Sequence, residues 1–478
     1  MKISDPPILA LPYPAQGHVF PLMELCLCLL KHGFTITFVN NEFIHERLMS
    51  ECKEKGDLGD QLRLVSLPDW LDPAEDKNKP RKTTEASEQL MQQKPEELIA
   101  EIYGGGCIGN IACVIADNHT GWALEVAAKM GIRRAAFCPI AATVFAWQIT
   151  VPNLIGDGII NNDGTPTKEQ MFQLLPTVPP ISTKNFHWTR VGDLAMQKFV
   201  FEIIEKGNKA VKEADWLFCN STYEFEPEAF SLAPQMIPIG PLLASNRLGN
   251  SLGSLWPEDL TCLKWLDQQS PCSVIYVAFG SSTTNFNHNQ FQELALGLEL
   301  SNMPFLWVVR LNSTDGINDA YPEGFLDRVA TRGKIVGWVP QQKVLSHPSV
   351  ACFLSHCGWN STMEGVSNGL PFLCWPVFAD QFINKSYICD VWKVGLGFDP
   401  DETEIVRREE IKNKVEQLLG DKNLKERASS LKEVASNSVR EGGSSYSNFQ
   451  RFTERLKADK GFFNTLFDCL CVPFTMRL

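Results

Sequence analysis

The sequence predicts an α/β protein of two doubly wound, parallel-sheet domains facing each other across a cleft. Three observations carry that expectation. Strand-like apolar runs alternate with helical patterns, the order that a parallel sheet demands. A second alternating series begins near Ser273, after the composition changes between residues 240 and 270. Finally, 478 residues, 44% of them apolar, exceed what one ordinary core can hold. Two Rossmann-like units, with ligands gathered at the carboxyl ends of their strands, follow from these patterns.

The first unit opens with the buried strand "PILALP" and the loop "YPAQGHVFP". A helix "FPLMELCLCLLKHG", ended by Gly33, and a strand "FTITFVN" come next. The charged stretch Pro68 to Glu97 reads as a solvated excursion, although such loops also cover pockets. "IACVIAD" is a strand ending at Asp117, "GWALEVAAKMG" a helix closed by Gly131, and "RRAAFCP" another strand. Gly240 to Gln269 is rich in Gly, Ser and Pro and reads as a linker running into a short helix. The second unit offers the strand "SVIYVAFG", a helix from about Asn289 to Leu300, and the strands "PFLWVVR", "KIVGWV", "VACFLSH" and "PFLCWPV". The expected division is 1–240, a linker 241–270, 271–440, and 441–478. In the last part a helix should finish near Lys460. The apolar tail "GFFNTLFDCLCVPFTMRL" reads as an amphipathic cap, a frayed end or a segment outside any fold.

A formal charge of −12 and a pI near 5.3 argue against a nucleic-acid partner, since no diffuse cationic surface is available. The fifteen cysteines form no CxxC pair, and most sit in apolar runs, where they act as small core hydrophobes. The N-terminus makes a poor signal peptide, and no run approaches the about 20 apolar residues of a membrane helix. The expectation is a reduced, cytoplasmic, monomeric protein without integral membrane association.

Three short motifs fail on context. "GGGCIG" (Gly104–Gly109) matches a dinucleotide fingerprint but lies between a helix and a strand, the reverse of the order required. "GNSLG" (Gly249–Gly253) matches a nucleophile elbow but has no strand feeding it. "DPD" (Asp399–Asp401) could clamp a metal but reads as a solvated acidic loop.

The chemistry concentrates in Trp338–Gln381, "WVPQQKVLSHPSVACFLSHCGWNSTMEGVSNGLPFLCWPVFADQ". Here "VACFLSH" ends and a helix starts around Asn360–Ser361, both good N-cap residues, with Gly369 as terminator. Free N–H groups, the helix dipole and the donors of "HCGWNS" make an anion site to which His356 can add. Lys343 is the only Lys or Arg in these 44 residues, so a diphosphate would be held mainly by dipoles and hydrogen bonds. Glu364, one turn beyond Asn360, suits a ribose diol, Trp338 offers a flat face for a base, and Asp380 and Gln381 could bind sugar hydroxyls. Each has an ordinary reading too: core packing for Trp338 and Trp359, capping for Asn360 and Ser361, a surface charge for Asp380. Together, at the ends of successive strands, they favour a nucleotide-sugar site.

This segment resembles, without insertion or deletion, the donor-binding signature of plant secondary-product UDP-glycosyltransferases, with a likeness to the 83A-type subgroup. The resemblance extends over all but the last ~20 residues. It implies the GT-B fold, an acceptor-binding first domain, a UDP-sugar-binding second domain, no metal, no cofactor beyond the UDP-sugar co-substrate, and inversion at the anomeric carbon. Carried over by position, Trp338 would stack on uracil, the Val339 backbone would meet the base edge, and Gln341 and Glu364 would hold the ribose. His356, Asn360, Ser361 and the Gly358 backbone fall on the diphosphate, and Trp359, Asp380 and Gln381 on the sugar. Ending in glutamine is similar to members that use UDP-glucose. "FGSSTTN" resembles the family's phosphate loop, which places Ser281, and with less specificity Ser282 and Thr283, near the donor.

Transfer from a UDP-sugar needs a base for the acceptor oxygen but no strong acid, because UDP leaves as a stabilised anion. His18 follows the first strand and Asp117 ends a later one, so both stand on the sheet edge that faces the crevice. Either residue alone reads as a loop histidine or a helix cap. "PAQGHVFP" and "ADNHTGWA" resemble the segments that carry the family's catalytic pair, which implies His18 as base and Asp117 as its orienting partner. His119 reads as facing solvent or loop. A small lipophilic acceptor with a hydroxyl or carboxyl is expected. "PIAATVFAWQITVP" and "NFHWTR" either line its pocket or form helix core and loop. A non-catalytic binder would lack the pair or the donor site, and an acceptor-independent nucleotide-sugar enzyme would release UDP without acceptor.

Overall fold

Short strands with no exposed side chain in the middle of either sheet set the architecture of this computed structural model, which describes residues 7–55, 61–67, 111–242, 256–280, 286–310 and 321–470. The first sheet contains β1 (Ile8–Leu11), β2 (Ile36–Asn41), β3 (Leu62–Leu67), β4 (Cys113–Asp117) and β5 (Arg134–Cys138). A two-stranded ribbon, β6 (Met171–Phe172) and β7 (Ile181–Ser182), precedes its last strands, β8 (Trp216–Cys219) and β9 (Met236–Pro238). The sheet order is β3-β2-β1-β4-β5-β8-β9, parallel throughout. The second sheet comprises β10 (Val274–Ala278), β11 (Phe305–Val308), β12 (Gly333–Val336), β13 (Val350–Ser355), β14 (Phe372–Cys374) and β15 (Gly395–Gly397). Its order, β12-β11-β10-β13-β14-β15, is parallel as well. The chain has the expected fold class, GT-B.

Each sheet has one place where the chain turns back: between β1 and β4 in the first, and between β10 and β13 in the second. Loops leaving adjacent strands there run in opposite directions and open a crevice, which is where doubly wound sheets bind ligands. Leu11 lies opposite Ala116, so the residues after β1 and the end of β4 are neighbours. Ala278 lies opposite Ser355 in the same way.

Two helices differ from expectation. The first spans Gln16–Lys31, so His18 stands in its first turn rather than in a loop, and Pro21 lies inside it. A proline this close to the N-terminus removes one N–H, the partner of the Gly17 carbonyl, and the following apolar residues carry the helix on. Val19, Leu22, Leu25, Cys26 and Leu29 bury one face against Ile8, Ile36 and Phe38. The C-terminal helix runs Ser444–Leu470, past Lys460, and returns to the first sheet. There Phe452 packs 4.5 Å from Phe218 and 5.1 Å from Trp216. The rest of the tail lies outside the described residues, as do Pro68–Glu97, "GGGCIG" and "GNSLG".

The two halves share an apolar core in which Trp147 and Trp188 of the first join Tyr276, Phe353 and Trp359 of the second. Polar contacts cross it: Thr143 Oγ1 to Tyr387 OH at 2.8 Å, Trp359 Nε1 to Asn220 O at 2.8 Å, and Trp392 Nε1 to Phe225 O at 3.0 Å. Among the described residues no helix is long and apolar enough to cross a membrane. Asp399 pairs with Lys414 and Asp401 with Arg407, so both acids of "DPD" are engaged in surface ion pairs.

Candidate functional site

At the first crevice, β4 holds Asp117 fully buried at its end, and the helix after β1 brings His18 to it. His18 Nδ1 meets Asp117 Oδ2 at 2.8 Å, while Asp117 Oδ1 accepts the backbone N–H of His119 at 2.9 Å. Asp117 is thus not a helix cap; that position falls to Thr120. With Nδ1–H donating to the carboxylate, Nε2 is left as the lone-pair nitrogen. Burial by itself would lower the imidazole, but the Asp117 charge and hydrogen bond, with Asp380 from the other domain, outweigh it and raise His18 above its ordinary value.

His119, half-buried in the turn after β4, lines the cleft. Its ring lies 5.1 Å from that of His18 and 5.8 Å from Tyr13, and burial with the neighbouring His18 lowers it to about 4. His18, Asp117 and His119 each place a ligand atom within 4.8 Å of the others. In this cluster the carboxylate is engaged by the His18 imidazole and by the His119 N–H.

At the second crevice β13 feeds the helix Trp359–Asn368, closed by Gly369 at φ 71° as expected. The N-cap is Gly358, not Asn360 or Ser361. Both fall in the first turn, and their side chains turn outward to partners elsewhere. The helix start therefore has no side-chain cap, and Gly358, Asn360 and Ser361 line the cleft, where free N–H groups can take an anion. His356 packs tightly against it. A Cβ on Gly280 would come within 2.6 Å of His356 Nε2 and one on Gly358 within 2.4 Å, which only glycine tolerates. Burial lowers His356 to about 4, so it serves as a neutral imidazole.

Beside this helix a hydrogen-bonded wall is already formed. Gln341 Nε2 donates to Glu364 Oε2 at 2.5 Å and to Ser361 Oγ at 2.9 Å, and Tyr276 OH donates to Gln341 Oε1 at 2.8 Å. Tyr276 went unmarked in the sequence; its signal was a lone phenol in the apolar run "SVIYVAFG". Burial pushes Glu364 up to about 7, against the hydrogen bonds it receives. Trp338 is half-buried at the end of β12, and Val339 is buried behind it.

Trp359 packs in the shared core, and its indole N–H donates to Asn220 O in the domain interface, so its side chain offers no donor to a ligand and only its backbone can meet one. Gln381 Oε1 accepts from the Val377 and Phe378 N–H groups, which leaves its amide nitrogen for the cleft. Asp380 is half-buried, bonded to Asn384 at 2.8 Å, and raised by burial. Ser281, Ser282 and Thr283 lie outside the described residues.

The two walls meet directly. Asn360 Nδ2 donates to Gly17 O at 2.6 Å, the very carbonyl that Pro21 leaves without a helical partner. Around this bridge lies one cavity of about 990 Å³, bounded by His18, Trp338, Gly358, Glu364, Asp380 and Gln381. Its far end is apolar, lined by Ile140, Val144, Met196, Phe199 and Val200, with Gln148 and His187 among them. Both segments left open as a pocket wall thus contribute to it.

A helix N-terminus for a diphosphate opposite a carboxylate-bound imidazole is what group transfer from an activated nucleotide requires, on the fold of the GT-B glycosyltransferases. The family model for UDP-glucoronosyl and UDP-glucosyl transferases matches residues 250–438. The chain is 44% identical to UDP-glycosyltransferase 83A1 of Arabidopsis thaliana over 96% of its length and 98% of that protein. It is 35% identical to linamarin synthase 1 of Manihot esculenta, over 95% and 97%. Among solved structures it is similar to Os79 of O. sativa in complex with UDP (TM-score 0.77, 27% identity, 94% and 100% covered). It is also similar to UGT2 of Phytolacca americana with UDP-2-fluoro-glucose and pterostilbene (TM-score 0.77, 26%, 95% and 100%). The chain belongs to the plant family 1 UDP-glycosyltransferases.

Proposed function

We propose that this UDP-glycosyltransferase transfers glucose from UDP-glucose to a hydroxyl or carboxyl of a small lipophilic acceptor, with inversion and without a metal. The observation that carries the reading is the 2.8 Å His18–Asp117 hydrogen bond facing the uncapped helix at Gly358. His18 Nε2 takes the proton as the acceptor oxygen attacks C1, and Asp117 stabilises the imidazolium that forms. The C1–O bond to UDP breaks on the opposite face. The leaving charge falls on the helix N–H groups, those of Asn360 and Ser361 among them, aided by the neutral His356. Trp338 and Val339 receive the base, Gln341 and Glu364 the ribose. Asp380, the Gln381 amide nitrogen and the backbone at Trp359 meet the sugar. Residues 1–240 serve the acceptor and 271–440 the donor.

The apolar far end of the cavity supports a lipophilic acceptor, and the UGT2 complex holds a phenolic stilbene in the corresponding fold. Purified protein assayed with UDP-glucose against phenolics, terpenoids, hormones and fatty-acid derivatives tests the proposal. The expected product is a β-glucoside by NMR, formed equally well in EDTA. Release of UDP at the same rate without any acceptor would overturn it.

A further inference from the structure

Glu24 has no place in the mechanism above, yet it stands in the cleft. It is the only charged residue between Val19 and Leu30, a segment otherwise built to be buried. It is 4% exposed, and among the described residues it makes no hydrogen bond or ion pair. A carboxyl left in that state is unfavourable, and a leucine in its place would suit the helix better. Its side chain nevertheless lines the cavity that holds the donor wall.

Geometry says where it points. Gly17, Pro21 and Glu24 recur at i, i+4 and i+7 on one helix and all line the cleft, so they form one stripe. The stripe is pinned at its start by the Asn360–Gly17 bond. On the facing helix, Glu364 follows Asn360 by one turn. Glu24 thus lies further along the same contact, and Glu364 is the foremost charge acting on it, with Lys31 the weaker opposing one.

We propose that Glu24 completes the ribose subsite from the opposite wall, hydrogen-bonding a hydroxyl of the ribose that Gln341 and Glu364 hold from the second domain. The inference rests on the donor reading above. It makes recognition of a ribonucleotide a property of the closed cleft, shared by both domains, rather than of the second domain alone. Buried beside another carboxyl, Glu24 is pushed up to about 8. At neutral pH it therefore carries its proton and can either donate to or accept from a sugar hydroxyl.

Calorimetric titration of the full chain with UDP, 2′-deoxy-UDP and 3′-deoxy-UDP tests this, using Glu24→Gln, Glu24→Leu and Glu24→Ala. Wild type should favour UDP over at least one deoxy analogue. Glu24→Leu and Glu24→Ala should shrink that preference about 5- to 10-fold, the scale of one hydrogen bond, with Glu24→Gln keeping most of it. In turnover assays the loss should fall on the donor KM, with kcat preserved. The use of both apolar variants keeps the test readable if one fails to fold. Normal UDP binding with an unchanged preference in the apolar variants would overturn this inference alone. Failure of wild type to bind UDP would overturn the donor reading and this inference with it.

Discussion

Two histidines stand just beyond strand ends on opposite walls of the cleft, and the protein treats them in opposite ways. His18, after β1, has a buried carboxylate at 2.8 Å and is raised above its ordinary value despite burial. His356, after β13, is wedged between Gly280 and Gly358 and lowered to about 4 by burial. Burial is a common factor, so the carboxylate makes the difference. On the proposed reading, one wall carries a proton through the reaction, and the other presents neutral groups and a helix dipole to an anion. His119 sharpens the point: two residues from Asp117, it meets that carboxylate only through its backbone N–H, and it too falls to about 4.

The most severe way to break this contrast is to remove the proposed base. His18→Ala should lower kcat by about 10³-fold, within the range for a general base, and leave the UDP dissociation constant unchanged by calorimetry. Unimpaired turnover would sink the assignment. Asp117→Asn comes next, with a loss of about 10²-fold and a change of pH profile. Because the base acts unprotonated, kcat/KM in wild type should rise with pH through a value above the ordinary imidazole range. Without the carboxylate, burial dominates and that limb should move to lower pH. A limb that stays in place would mean that another group titrates.

On the donor wall the effects should appear in binding. Trp338→Ala should raise the KM for the UDP-sugar about 10-fold, the scale of a lost stacking contact, with kcat little altered. A matching fall in kcat would show that Trp338 also acts in the transition state. The raised carboxyls give this region a stability signature as well. Burial holds Glu364 at about 7 and Glu24 at about 8 against 4.5 for the free group. The folded chain thus keeps protons that the unfolded chain has lost. Their contribution is fully present below pH 4.5 and is lost as pH rises through 7 and 8. Glu24→Gln should flatten the fall in melting temperature across that interval by about 2–4 °C. A slope identical to wild type would remove Glu24 from the account.

How much of this was readable in the sequence depends on whether a residue acts through its own type or through a neighbour. The strands and the Gly369 terminator were legible because buried parallel strands and left-handed glycines leave strong local signals. The segment Trp338–Gln381 stood out for another reason, the gathering of donors, an acid and an aromatic at successive strand ends, which carries the resemblance to the family's donor signature. What could not be read was where side chains went once two domains met. Asn360 and Ser361 have the composition of caps, yet the tertiary contacts with Gly17 and Gln341 take them, and Gly358 starts the helix. Trp359 looked available to a sugar until Asn220 claimed its indole. Tyr276 and Glu24 sit inside apolar runs where pattern reading sees only core, and β3, β8 and β9 went unread, although β3 is as long as β2.

The bridge between Asn360 and Gly17 joins the two walls, and Pro21 is the residue that makes it possible. An ordinary residue at position 21 would donate its N–H back to Gly17 O; proline cannot, so the carbonyl stays open for Asn360 at 2.6 Å. Pro21→Ala restores that donor and should stabilise the helix while setting it in competition with the bridge. The expected result is a higher melting temperature together with a fall in kcat of about 2- to 3-fold, because the turn that carries His18 is held less firmly against the donor helix. The donor KM should change less than kcat. A more stable enzyme with undiminished kcat would mean that the first helix needs no tie to the donor wall, and that each wall places its own groups without the other.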